Sequence, residues 1–141
     1  MIFWDSSAIV PLCVNEPATA TVKSILAKDS GVVVWWTTRT ECVSALVRQA
    51  REGGITALGE RQARQVLEAL AKAWTEIQPA DGVRRAAERL IAVHPLRAAD
   101  AFQLAAALQW CRGQPGASIV CFDGRLRNAA DKEGFNLLPA T

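Results

Sequence analysis

Residues Val32-Val33-Val34-Trp35-Trp36 form an unbroken run of β-branched and aromatic side chains. Side chains of a strand alternate between its two faces, so a run with no polar member needs cover on both sides. That is the setting of a parallel strand between two helical layers. Shorter runs of the same kind occur at 2–4, around Ile77, at 118–122 and at 136–138. Between them apolar residues recur at helical spacing, for example Val22, Ile25 and Leu26, then Val43, Leu46, Val47 and Ala50. The pattern returns at Ala63, Leu67 and Leu70, at Val83, Ala87 and Leu90, and at Ala101, Leu104, Ala105 and Leu108. A last short helix near 125–133 meets Gly134, a natural stop. Strands alternating with helices predict an α/β fold, a three-layer α/β/α arrangement with a parallel sheet of about five strands. No repeat or long linker divides the 141 residues, and Gly53-Gly54 reads as a turn between helices, so residues 1–141 are expected to form a single domain.

In such a sheet the C-terminal ends of the strands open on one edge, and ligands bind in the crevice there. The acids fall along that edge. Asp5 follows the first strand, Asp123 follows the fourth, and Glu41 lies in the first turn of the helix after the second. Asp100 stands at the start of the Ala/Leu-rich helix before the fourth strand, and pattern alone leaves the direction of that helix open. Each acid also has an ordinary explanation, because Asp and Glu favour helix N-termini. Thr38-Arg39-Thr40-Glu41 reads as a capping box, and Asp5 and Asp123 read as N-caps. As a group they say more. Carboxylates gathered in one cleft raise one another's pKa unless a cation intervenes. A donor set of oxygens alone suits a hard ion, Mg²⁺ or Mn²⁺, and such ions serve attack of an activated water on a phosphodiester.

The remaining composition narrows the choice. Cys13, Cys42, Cys111 and Cys121 have no Cys-x-x-Cys spacing and read as buried thiols rather than zinc ligands or disulfides. The only histidine, His94, precedes Pro95 at a helix end and reads as a surface or dipole residue. A net charge of +2 does not by itself announce nucleic acid. Arg84, Arg85, Arg89, Arg97, Arg112, Arg125 and Arg127 are explained better by solvated faces than by phosphate contacts. No segment reaches the roughly 20 apolar residues of a membrane span, and the opening residues lack a secretory pattern. The expectation is a cytoplasmic protein with no membrane role.

Four segments together resemble a known family. Ile2-Phe3-Trp4-Asp5-Ser6-Ser7-Ala8, Thr38-Arg39-Thr40-Glu41, Leu96-Arg97-Ala98-Ala99-Asp100-Ala101 and Val120-Cys121-Phe122-Asp123-Gly124-Arg125-Leu126 are similar, in order and spacing, to the PIN-domain ribonucleases. They are most similar to the VapC-type toxins of type II toxin–antitoxin systems, and the likeness spans essentially the whole chain. It implies a metal-dependent endoribonuclease in which Asp5, Glu41, Asp100 and Asp123 bind one or two Mg²⁺ or Mn²⁺ ions and Ser7 supports the first acid. It further implies an RNA substrate, a cognate antitoxin protein and a homodimer. One position departs: Cys121 stands where the family often has Ser or Thr, which makes Asp123 the least firmly placed of the four. Two rival readings stay open. A catalytically silent interaction module would keep the fold alone. An Asp-based phosphatase would want a second Asp where Ser7 stands.

Overall fold

The computed structural model describes residues 1–140. Among these, five strands form one wholly parallel sheet in the order β3-β2-β1-β4-β5. The strands are β1 (Ile2–Trp4), β2 (Val32–Trp35), β3 (Thr75–Ile77), β4 (Ser118–Val120) and β5 (Asn136–Leu138). The helices are α1 (Ser6–Cys13), α2 (Thr19–Lys28), α3 (Thr38–Arg51), α4 (Ala57–Ala73), α5 (Asp81–Val93), α6 (Ala98–Cys111) and α7 (Gly124–Lys132).

Strand alternation divides the core into two. Ile2, Trp4, Val32, Val34 and Val120 point to one face and pack against Ala8, Ile9, Val22, Cys42, Leu46, Ala63 and Leu67 of α1–α4. Phe3, Val33, Trp35 and Ile119 point to the other and meet Val83, Leu90, Leu104, Leu126 and Ala130 of α5–α7. The expected three layers follow directly from this two-sided burial. The hydrophobic run at 32–36 leaves the strand one residue early: Trp35 is buried, whereas Trp36 is 51% exposed. The run at 118–122 likewise ends as strand at Val120, and Phe122 is exposed. Gly53 adopts φ +78° in the α3–α4 turn and Gly134 φ +95° after α7, conformations that suit glycine and fit the expected turn and stop.

Two features position the site. First, β1 sends the chain to β2 on one side and receives β4 on the other, so the strand order reverses between β1 and β4, where an open α/β sheet forms its crevice. Second, α5 and α6 are joined by extended backbone, with φ/ψ of −123°/151° at His94 and −79°/162° at Arg97. This link starts α6 beside the rim, which resolves the direction of the Asp100 helix.

His94 corrects an expectation. It caps the C-terminus of α5 but is not a surface residue: it is 6% exposed, and its Nε2 lies 2.7 Å from Glu133 Oε2. Arg89 donates to the other oxygen of Glu133 at 2.9 Å. The four cysteines are free thiols, Cys42 and Cys121 fully buried. Among the described residues no helix is long and apolar enough to cross a membrane.

Candidate active site

Asp5 lies where β1 becomes α1. Its N–H donates to the Val120 carbonyl at 3.0 Å, extending the β1–β4 ladder by one step, and its φ/ψ of −75°/156° is that of an N-cap. The cap is real: Oδ2 accepts from the Ser7 N–H at 3.1 Å and the Ser7 hydroxyl at 2.6 Å. Oδ1 takes neither bond, so capping and ligand binding do not compete for the same atom. The Ser7 hydroxyl in turn accepts from the Phe122 N–H at 3.0 Å, which ties the first acid to the segment after β4. Ser7 thus hydrogen-bonds Asp5, and it occupies the place where a phosphatase needs its second carboxylate. Cys121 contributes a weak S–H donor 3.7 Å from Asp5 Oδ2, and burial pushes its thiol up, so it stays protonated.

The capping box expected at 38–41 does not form. The N-cap of α3 is Thr37, and no side chain caps the helix. The Glu41 carboxylate instead accepts from Ser6 Oγ at 3.1 Å, Thr37 Oγ1 at 2.6 Å and Gln103 Nε2 at 3.2 Å to each oxygen. A carboxylate gripped by α1, α3 and α6 at once is aimed rather than left to sample rotamers. Gln103 is 1% exposed and also donates to Thr38 Oγ1 at 2.9 Å. Sequence reasoning missed it. Its signal was a single amide on the apolar face of α6, three residues beyond Asp100, and only the fold reveals that the partner lies on α3.

Asp100 occupies the first turn of α6 and is half-buried, and Asp123 N-caps α7 through a 3.0 Å bond from the Leu126 N–H. All four acids, with Ser6, Ser7, Ser44 and Arg48, line one cleft of about 640 Å³. Arg48 sits two turns beyond Glu41 on α3 and is the one basic residue in a lining that holds four acids.

The electrostatics are those of like charges held together. Asp5 is 5% exposed, and burial pushes its carboxyl up to about 6 against the pull of the Ser7 bonds, with Glu41 and Asp100 adding repulsion. Asp100 is raised too, first by burial and then by Asp123 and Glu41, while Arg97 and Arg125 oppose the rise.

Among the described residues no three acidic, thiol or imidazole groups stand close enough to enclose an ion as they are. The four acids line the cleft rather than converge on a point. That arrangement fits Mg²⁺ better than a closed cage would, because Mg²⁺ keeps several waters and binds through one or two carboxylates. The donor chemistry also fits: oxygens only, an excess of negative charge, and one buried carboxylate that burial alone disfavours as an anion.

The chain is similar to several known proteins. The family model described as PIN domain matches residues 2–132. Two Mycobacterium tuberculosis proteins named ribonuclease VapC45 and ribonuclease VapC49 are each 27% identical over 140 residues, covering 99% of this chain and 96% of theirs. Among solved structures, Mycobacterium tuberculosis VapC20, described as a sarcin-ricin loop cleaving toxin, superposes with TM-score 0.67 at 21% identity over 92% of this chain and 95% of its own. FitAcB from Neisseria gonorrhoeae superposes with TM-score 0.67 at 17% identity, covering 93% of this chain and 94% of its own.

Proposed function

This chain belongs to the PIN-domain family, and from that premise we propose that it is a single-domain, metal-dependent endoribonuclease, the toxin of a toxin–antitoxin pair acting in the cytoplasm. The observation that carries the reading is the meeting of Asp5, Glu41, Asp100 and Asp123, from four separate elements, in one cleft at the point where the strand order reverses. The names of the VapC relatives extend to this chain an RNA substrate, and the likeness to a toxin supports an antitoxin protein that silences it. A homodimer completes the proposal.

Asp5, Glu41, Asp100 and Asp123 are the residues to hold Mg²⁺ or Mn²⁺. When bound, the ion supplies Lewis-acid activation of water and offsets charge building on the phosphate. The chain's own residues divide the remaining work. Glu41, fixed by Ser6, Thr37 and Gln103, is the rigid ligand that sets where the site forms. Asp5 is the carboxylate least able to bear its charge alone, so a cation gains most there. Asp100 accepts no side-chain hydrogen bond among the described residues and is free to turn toward water or substrate. A polyanionic strand approaching this acidic cleft is drawn by the few cations at its edge, Arg48 in the wall and Arg97 and Arg125 beside Asp100.

Purified protein is expected to cut RNA with Mg²⁺ or Mn²⁺ and to lose all cleavage in excess chelator. Equal cleavage in chelator would sink the mechanism. In cells, expression alone should arrest growth, and co-expression of the small protein encoded beside it should relieve the arrest.

A further inference from the structure

Beside the carboxylate cleft lies a second cavity of about 690 Å³ whose walls are aromatic where the first is acidic. Trp35, Trp36 and Phe102 line it, Arg84 stands at its edge, and it shares Trp36, Thr37 and Glu41 with the first cleft. The geometry points to a nucleobase-binding subsite here, in which a base of single-stranded RNA stacks on Trp36 while its phosphate backbone passes over the carboxylates. The placement rests on the ribonuclease reading.

Trp36 is half-exposed although it ends a run of buried residues, and its exposure is imposed by rigid backbone. Its N–H donates to the Ile77 carbonyl at 3.1 Å, so the residue is still held in the β2–β3 ladder after β2 has ended. Behind it Trp35 and Phe102 stack at 5.7 Å with their planes 4° apart, a wall that cannot collapse into the space. A large indole presented on a fixed strand end, next to a site for phosphodiester chemistry, has the form of a stacking platform, because every base offers a π-face. The cation nearby is available as well. Arg84 pairs only with Asp81 on its own helix, at 3.4 Å, and both side chains are mostly exposed, so a phosphate can take the guanidinium at little cost. A protein partner fits less well. The other large exposed apolar side chains, Met1, Leu58, Val66, Ile91, Val93 and Phe122, line neither cavity, so the apolar surface here is confined to the aromatic cavity itself and is far smaller than an interface.

The test measures binding of labelled oligoadenylate, and of a charge-matched strand of abasic ribose phosphates, in Mg²⁺. The full-length chain carries Asp5→Asn so that strands stay intact. Trp36→Ala is expected to weaken oligoadenylate binding roughly 5- to 150-fold and to leave the abasic strand unchanged. Trp36→Phe should keep most of the affinity, and Arg84→Ala should weaken both strands alike and lower the salt slope by about one. Equal binding of oligoadenylate by the parent and Trp36→Ala overturns the subsite, and so does an equal loss for both strands. Unchanged RNA binding together with altered self-association or antitoxin affinity assigns the face to a protein and also overturns it. A parallel assay with the unsubstituted protein separates the two readings: cleavage of total RNA that Trp36→Ala does not impair removes the subsite alone, whereas no cleavage by either protein removes the ribonuclease reading and the subsite with it.

Discussion

Two polar clusters sit at opposite ends of the helical layer formed by α5, α6 and α7, and they obey opposite rules. At one end Arg89, His94 and Glu133 bring unlike partners together: Glu133 accepts from Arg89 at 2.9 Å, lies 2.7 Å from His94, and has its carboxyl held below the usual range, first by the Arg89 bond. At the other end Asp5, Glu41, Asp100 and Asp123 gather like charges, and Asp5 and Asp100 are raised. The first cluster stabilises the fold as it stands. The second costs stability in the absence of a cation, and a fold retains such a cost where the groups have work to do. The difference separates a structural charge cluster from a functional one without reference to any relative.

The comparison is tested most severely by Asp5→Asn. Removing a carboxylate proposed to bind the ion should lower RNA cleavage roughly a thousand-fold or more, measured as initial rate in Mg²⁺. The same change should raise stability. In metal-free protein at pH 7, Asp5 is ionised against a folded value of about 6 and an ordinary value of 3.8, so its replacement should stabilise by up to about 3 kcal/mol in urea unfolding. A destabilised Asp5→Asn would put Asp5 among the structural charges and break the contrast. Next in size, Gln103→Leu should reduce cleavage about 10- to 100-fold, because Glu41 loses the donor that spans both its oxygens. Glu133→Gln, the matched change at the other cluster, should destabilise by about 1–3 kcal/mol and leave cleavage intact.

The two clusters also predict opposite pH behaviour in metal-free protein. Asp5 is raised on folding, so the stability linked to it is fully present below pH 3.8 and is lost as pH rises through about 6. Glu133 is lowered, so its contribution is present above its ordinary 4.5 and is lost as pH falls through the folded value. Unfolding measured between pH 3 and 8 should show both limbs. Asp5→Asn should shrink the upper limb to the part that belongs to Asp100, and Glu133→Gln should shrink the lower. Arg89→Ala should have the smallest effect, within about 1 kcal/mol, because the arginine is half-exposed.

What the sequence disclosed follows the range of the interactions involved. The strands at 2–4 and 32–35, and the helices between them, are written in local periodicity, and so are the stops at Gly53 and Gly134. The positions of Asp5 and Asp123 after their strands needed only the rule that parallel strands share one C-terminal edge. The failures turn mainly on partners distant in the chain. His94 stands at the helix end as its sequence position implies, but its burial depends on Glu133, 39 residues away. The capping box failed because Ser6, 35 residues before Glu41, and Gln103, 62 residues after it, take up its carboxylate. The direction of α6 depended on an extended link at 94–97 that no periodicity marks.

The central claim is that the gathered carboxylates tolerate one another because a divalent ion belongs between them. Calorimetric titration of Mn²⁺ into the metal-free protein at pH 6 tests it most directly. A saturable site that releases protons from the cleft, and that disappears in both Asp5→Asn and Asp100→Asn, is the predicted result. Identical isotherms for the unsubstituted protein and both variants would contradict it.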